Sequence, residues 1–132
     1  MEIVITEWAL DAYLDLLHAG VFSRNEYWAE LRPGVELLAR WPNHPKFTNP
    51  KFWSVATDKA GQIISHAWKM KWHNLGPGKV QLRLGVVIHD PRAFLCRAWV
   101  KDSDATDKRE LAKLKTHVNR IQLGQYISRG TL

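Results

Sequence analysis

A chain of 132 residues, 45% of them apolar, can bury one hydrophobic core, so a single domain spanning 1–132 is expected. No stretch reaches the roughly 18 consecutive apolar residues of a membrane span, and the one cysteine, Cys96, excludes an internal disulfide and any zinc site built from several cysteines. The net charge of +6 is unevenly spread: residues 1–66 carry 6 Lys/Arg against 8 Asp/Glu, whereas residues 67–132 carry 13 against 5, which implies a polyanionic partner for the second half.

In chain order, Met1-Glu2-Ile3-Val4-Ile5 lacks the basic segment of a secretory signal. With the single cysteine this leads to the expectation of a cytoplasmic protein with no membrane association. Glu2–Thr6 reads as a strand, and Thr6 caps a helix whose apolar positions Trp8, Leu10, Tyr13, Leu14, Leu16 and Leu17 recur at helical spacing up to Gly20. Ser23 or Asn25 caps a second helix marked by Tyr27, Trp28, Leu31, Val35 and Leu38, with a break at Pro33-Gly34. The stretch 41–53 holds Pro42, Pro45 and Pro50 and reads as a loop anchored by aromatic residues. Residues 53–57 read as a short strand or as more of that loop.

Residues 62–72 alternate as a strand, with Ile63, Ser65, Ala67, Lys69 and Lys71 on one face and Ile64, His66, Trp68, Met70 and Trp72 on the other. Gly76-Pro77-Gly78 turns the chain into a second strand, 79–89, whose faces carry Val80, Leu82, Leu84, Val86 and Ile88 against Gln81, Arg83, Gly85, Val87 and His89. His89-Asp90-Pro91-Arg92 is a turn into a third apolar strand, 92–100, completing an antiparallel meander. The last helix starts at Thr106 or at an Asp107/Glu110 capping box, carries the stripe Leu111, Leu114, Val118 and Ile121, and ends at Gly124. Residues 123–132 read as a flexible polar tail. The fold class is α+β: a strand and a helical hairpin packed on a small antiparallel sheet, with a C-terminal helix.

Period two sets Lys69 and Lys71 on one strand face with Arg83 on the neighbouring strand, a grouping that suits a basic groove for nucleic acid. The competing reading is two solvated lysines and an arginine paired to a carboxylate. Lys101 follows the last strand, and Lys79, Arg97, Lys108 and Arg109 extend the basic set as candidate RNA contacts. Among the histidines, His73 follows the lysine strand and is the candidate general base; His66, His89 and His117 have the same intrinsic chemistry. No pair has the spacing of a helical metal site, so no metal is expected. Tyr126 is a candidate base-stacking or proton-donating residue, and Trp68, Trp72 and Trp99 lie beside the basic strands, where core packing competes with stacking on bases.

Ile5-Thr6-Glu7-Trp8-Ala9-Leu10, Arg83-Leu84-Gly85-Val86-Val87-Ile88, the Lys69-Met70-Lys71 strand, and Phe94–Ser103 followed by Thr106, Glu110 and Leu111 resemble segments of the RelE/ParE toxin superfamily, most closely its HigB-like branch. The resemblance implies a bacterial toxin of a type II toxin–antitoxin pair that cleaves mRNA on the ribosome through attack of the ribose 2′-OH, without metal or cofactor. Its catalytic residues map to Lys69, Lys71, Arg83 and Lys101, to which His73 is added as the candidate base for its place after the lysine strand, and its partners are a cognate antitoxin, the ribosome and mRNA. Two other readings stay open on the same scaffold: a ParE-like toxin that binds DNA gyrase with no chemistry of its own, and a non-catalytic nucleic-acid-binding protein. The 41–53 loop departs from the family pattern, as do Asp102 and Asp104, which stand where basic residues are common.

Overall fold

Thr6 shows how the N-terminal third is joined to the sheet. A computed structural model describes residues 1–132. Strand β1 (Glu2–Thr6) runs directly into helix α1 (Glu7–His18). The buried Thr6 Oγ1 accepts from the Ala9 N–H (3.3 Å) and donates to the Leu95 carbonyl (2.7 Å), so one hydroxyl caps the helix and ties it to the centre of the sheet. The second arm of the hairpin opens with a capping box between Ser23 and Glu26 on α2 (Arg24–Glu26), then widens into a π turn at Tyr27–Leu31. This widened turn precedes Pro33, which has no N–H to continue the ladder. Helix α3 (Arg32–Glu36) and a 3₁₀ turn (Leu37–Arg40) follow.

The fold is α+β, but its sheet is mixed. Strands β2 (Trp53–Thr57), β3 (Ile63–Leu75), β4 (Val80–His89) and β5 (Arg92–Val100) form the antiparallel part. β1 joins this sheet by lying parallel to β5, with Glu2 opposite Arg92 and Ile5 opposite Leu95. Residues 123–132 do not form the flexible tail that their polarity predicts. Ser128–Thr131 is strand β6, antiparallel to β1, and gives the order β2-β3-β4-β5-β1-β6. It covers backbone groups that β1 would otherwise leave exposed at an edge. The Tyr126 ring sits edge-on to Phe94 (5.1 Å between centroids), and Arg129 reaches Glu7 at 3.2 Å.

Simple alternation along β3 fails at His66, which has φ 68°. This irregularity puts Ile64 in the same apolar cluster as Ala67 and Val87 instead of on the opposite face. The His66 ring stacks on His89 at 4.3 Å.

Both faces of the sheet are packed, so the basic groove expected from Lys69, Lys71 and Arg83 does not lie on an open sheet face. On one face Ile3, Trp53, Met70, Leu84 and Val86 meet Ala9, Val35 and Leu38 from the N-terminal helices. On the other, Ala67, Val87, Phe94, Cys96 and Trp99 meet Leu111, Leu114, Val118 and Ile121 of helix α4 (Asp104–Gln122). The stripe on α4 is the one its sequence predicts. Its cap is not: Ser103 Oγ accepts from the Thr106 N–H (3.1 Å), so the helix starts earlier than Thr106 or Asp107 and leaves the Asp107 side chain free to turn inward.

α4 lies directly over Gly85, where a Cβ would sit 2.9 Å from Leu114 Cδ1 and 3.0 Å from Cδ2. Leu114 is fully buried and has no room to swing. Gly85→Ala is therefore expected to destabilise the fold by about 1–2 kcal/mol through overpacking, read as a lowered urea midpoint. An unchanged midpoint would contradict this packing.

Candidate nucleic-acid interface

The antiparallel register sets Lys71 opposite Arg83 and Lys69 opposite Gly85, while Arg83 faces Trp99 on β5. Lys69, Lys71 and His73 of β3 therefore share a face with Gln81 and Arg83 of β4. Just past the end of β5, the Lys101 N–H donates to the Gln81 carbonyl (2.8 Å), which holds Lys101 against β4. This is the face that α4 covers: the helix begins at Asp104, Asp107 in its first turn reaches Trp99, and Leu114 lies over Gly85. The basic residues lie beside the first turn of the helix, where Asp107 reaches Lys69.

Asp107 is the counter-charge, with 7% exposure. It accepts from Trp99 Nε1 (3.0 Å) and lies 3.5 Å from Lys69 Nζ. Sequence reasoning missed it because an acidic residue in a first helical turn usually serves the helix end. Its inward role follows from the earlier start at Ser103.

Arg83 is 7% exposed, and its guanidinium has little to hold it. One terminal nitrogen donates to the carbonyl of its own neighbour Leu82 (3.1 Å), and Nε has no partner. Burial pushes its pKa down, with Asp107 acting in the opposite sense. Lys71 Nζ donates to the Pro50 carbonyl (2.9 Å). Its pKa is lowered by burial first and then by the positive charges of Lys69, Arg83 and Lys101. Lys101 has only a loose pairing with the exposed Asp104 at 3.9 Å. Four cations thus share one buried carboxylate, an arrangement that favours an incoming anion.

His73 is on this face, but both of its ring nitrogens are engaged. Nε2 donates to the Lys51 carbonyl (2.6 Å), and Nδ1 lies 2.7 Å from the Gln81 side-chain amide. In this geometry it clamps the 41–53 loop to the sheet. Arg97 is half-buried and paired with Glu110 at 2.7 Å, which removes it from the free cations. Lys79 is at the exposed tip of the β3–β4 hairpin, with φ 48°. Lys108 and Arg109 are exposed on α4, where Arg109 reaches Thr106 Oγ1 at 3.5 Å. Tyr126 packs on Phe94 near the other end of β5 and takes no part in the cluster.

The tryptophans beside the basic strands are committed to the fold. Trp68 stacks on Trp53 at 5.2 Å, Trp99 donates to Asp107, and Trp72 Nε1 donates to the Glu30 carbonyl (3.0 Å). Thr106 is also committed, since its hydroxyl lies 3.1 Å from Ser103 Oγ and accepts from Arg109 at 3.5 Å. Lys69, Lys71, Arg83 and Lys101 remain as the group the fold brings together. The chain matches no protein-family model, and no curated protein matches it.

Proposed function

We propose that this basic face binds and cleaves RNA, and that the chain is the toxin of a toxin–antitoxin pair acting on mRNA at the ribosome. The observation that carries this reading is Arg83. A guanidinium buried to this extent normally has several hydrogen-bonded partners. Arg83 has one carbonyl and an orphan Nε, flanked by lysines, and the two non-bridging oxygens of a phosphodiester suit its planar fork.

The chemistry divides among the cluster. Lys71, with its lowered pKa, is neutral in a larger share of molecules near pH 7 than an ordinary lysine and accepts the proton of the ribose 2′-OH. The 2′-oxygen attacks phosphorus, the P–O5′ bond breaks, and the products are a 2′,3′-cyclic phosphate and a 5′-hydroxyl. Arg83 stabilises the extra negative charge on phosphorus, and Lys101 protonates the departing 5′-oxygen. Lys69, held by Asp107, keeps the field positive without leaving its place. An antitoxin that covers this face silences the protein.

Induced expression is expected to arrest growth, and purified protein to cut mRNA only when translating ribosomes are present. The new ends are expected to carry a 2′,3′-cyclic phosphate and a 5′-hydroxyl, read by end-labelling. Normal growth with folded protein accumulating would sink the toxin reading. Growth arrest with inhibited DNA supercoiling and intact mRNA would transfer the assignment to a gyrase-binding toxin.

A further inference from the structure

The 41–53 loop, which the family pattern leaves unexplained, builds a second basic feature beside the cluster. Resting on the RNA-binding reading above, we infer that the cleft between this loop, the second helical arm (Ala29, Glu30, Pro33, Gly34 and Leu37) and the end of β3 is a subsite for the backbone of single-stranded RNA running on from the cleaved phosphodiester.

The loop is fixed to the sheet. The Lys71 N–H donates to the Phe52 carbonyl (2.8 Å), Lys71 Nζ to Pro50 (2.9 Å), and His73 Nε2 to Lys51 (2.6 Å). Within the loop, a 3₁₀ turn (Pro45–Thr48) is capped by His44, whose Nδ1 accepts from the Lys46 N–H at 3.1 Å. The Lys46 ammonium stands 4.9 Å over the Phe52 ring. The loop thus forms a held wall.

The space it encloses is open, with a volume of about 640 Å³. That falls within the roughly 300–1,000 Å³ of small-molecule sites and gives room for a nucleotide unit. Its lining includes Lys46, Lys51 and Lys71 with His44 and His73, against one carboxylate residue, Glu30. None of the three lysines has a carboxylate partner within ion-pair distance. Lys71 belongs both to this cleft and to the Arg83 cluster, so the two basic surfaces are continuous. A strand whose phosphate sits at Arg83 has a positively lined exit past Lys71 toward Lys51 and Lys46, as single-strand grooves require.

The test is fluorescence anisotropy with labelled RNAs of about 4 and about 12 nucleotides, the span of a single-strand site, across a salt series. Wild type is expected to bind the longer RNA more tightly. A Lys46→Ala/Lys51→Ala double variant is expected to lose most of that length-dependent gain. Its salt slope on the longer RNA should fall by about 1.4, two contacts at about 0.7 each on a single strand. Its melting temperature serves as the check of folding, and Arg83→Met, as the control, should weaken binding of both lengths. If Arg83→Met weakens binding while the double variant keeps the full length gain and slope, the subsite is overturned and the RNA-binding reading stands. If wild type binds neither RNA, both fall.

Discussion

Arg83→Met is expected to lower mRNA cleavage by about 10²–10³-fold, the usual cost of removing one positioned donor to a developing charge. The same change is expected to raise the stability of the fold by about 1 kcal/mol. The two effects have one cause. Arg83 is a desolvated cation with an orphan Nε, a single backbone acceptor, and lysines around it. Without RNA these are costs, and an unbranched apolar side chain of similar length removes them. Asp107 keeps Trp99 and Lys69 as partners, so the variant strands no buried carboxylate. Opposite shifts in urea midpoint and cleavage rate are the signature of a site held at the expense of stability. A variant that is less stable and still cuts would show Arg83 to be a structural residue.

How much of this was legible in the sequence depends on what each signal measures. The grouping of Lys69, Lys71 and Arg83 was legible because side-chain period and hairpin pairing are both local, and the register sets Lys71 opposite Arg83 as the alternation implied. The stripe on α4 was legible for the same reason. The face it covers was not, since a helical stripe names no target, and α4 lies over the basic strands, with Leu114 on Gly85 and Asp107 on Lys69. β6 escaped because Ser-Arg-Gly-Thr has no apolar alternation; it forms through the need of β1 for a neighbour. The break at His66 was hidden because a positive φ at a histidine leaves no mark in the pattern of apolar residues. Arg97 shows the limit of counting charges: it looked like a groove cation and is neutralised by Glu110, one turn beyond Asp107 on α4. Lys46 and Lys51 read as ordinary loop residues, and the density of prolines around them is the one sign in the sequence of a rigid wall.

Acid is expected to weaken the fold between pH 6.5 and about 4, and His117 is expected to be the largest single cause. This residue of α4 is 8% exposed, stacks on Trp8 of α1 with ring centroids 3.9 Å apart, and has no hydrogen-bond partner at either nitrogen. Its pKa is held down to about 4 by burial, helped by Arg97, Arg120 and Lys113 and opposed by Glu110. The folded value lies below the unfolded one, so the unfolded chain takes the proton first as pH falls. Stability is therefore fully present above pH 6.5, declines through the window, and loses about 3 kcal/mol from this group by pH 4. His89, lowered by burial and by His66, acts in the same direction, and carboxylates titrate near the lower limit, so the wild-type curve alone does not isolate His117. His117→Phe does. It keeps an aromatic ring against Trp8, removes the unsatisfied nitrogens and cannot titrate. Urea melts at pH 7 and pH 4.5 should show the variant at least as stable as wild type at pH 7, with a smaller loss on acidification. Equal losses in the two proteins would show that the proton is taken elsewhere.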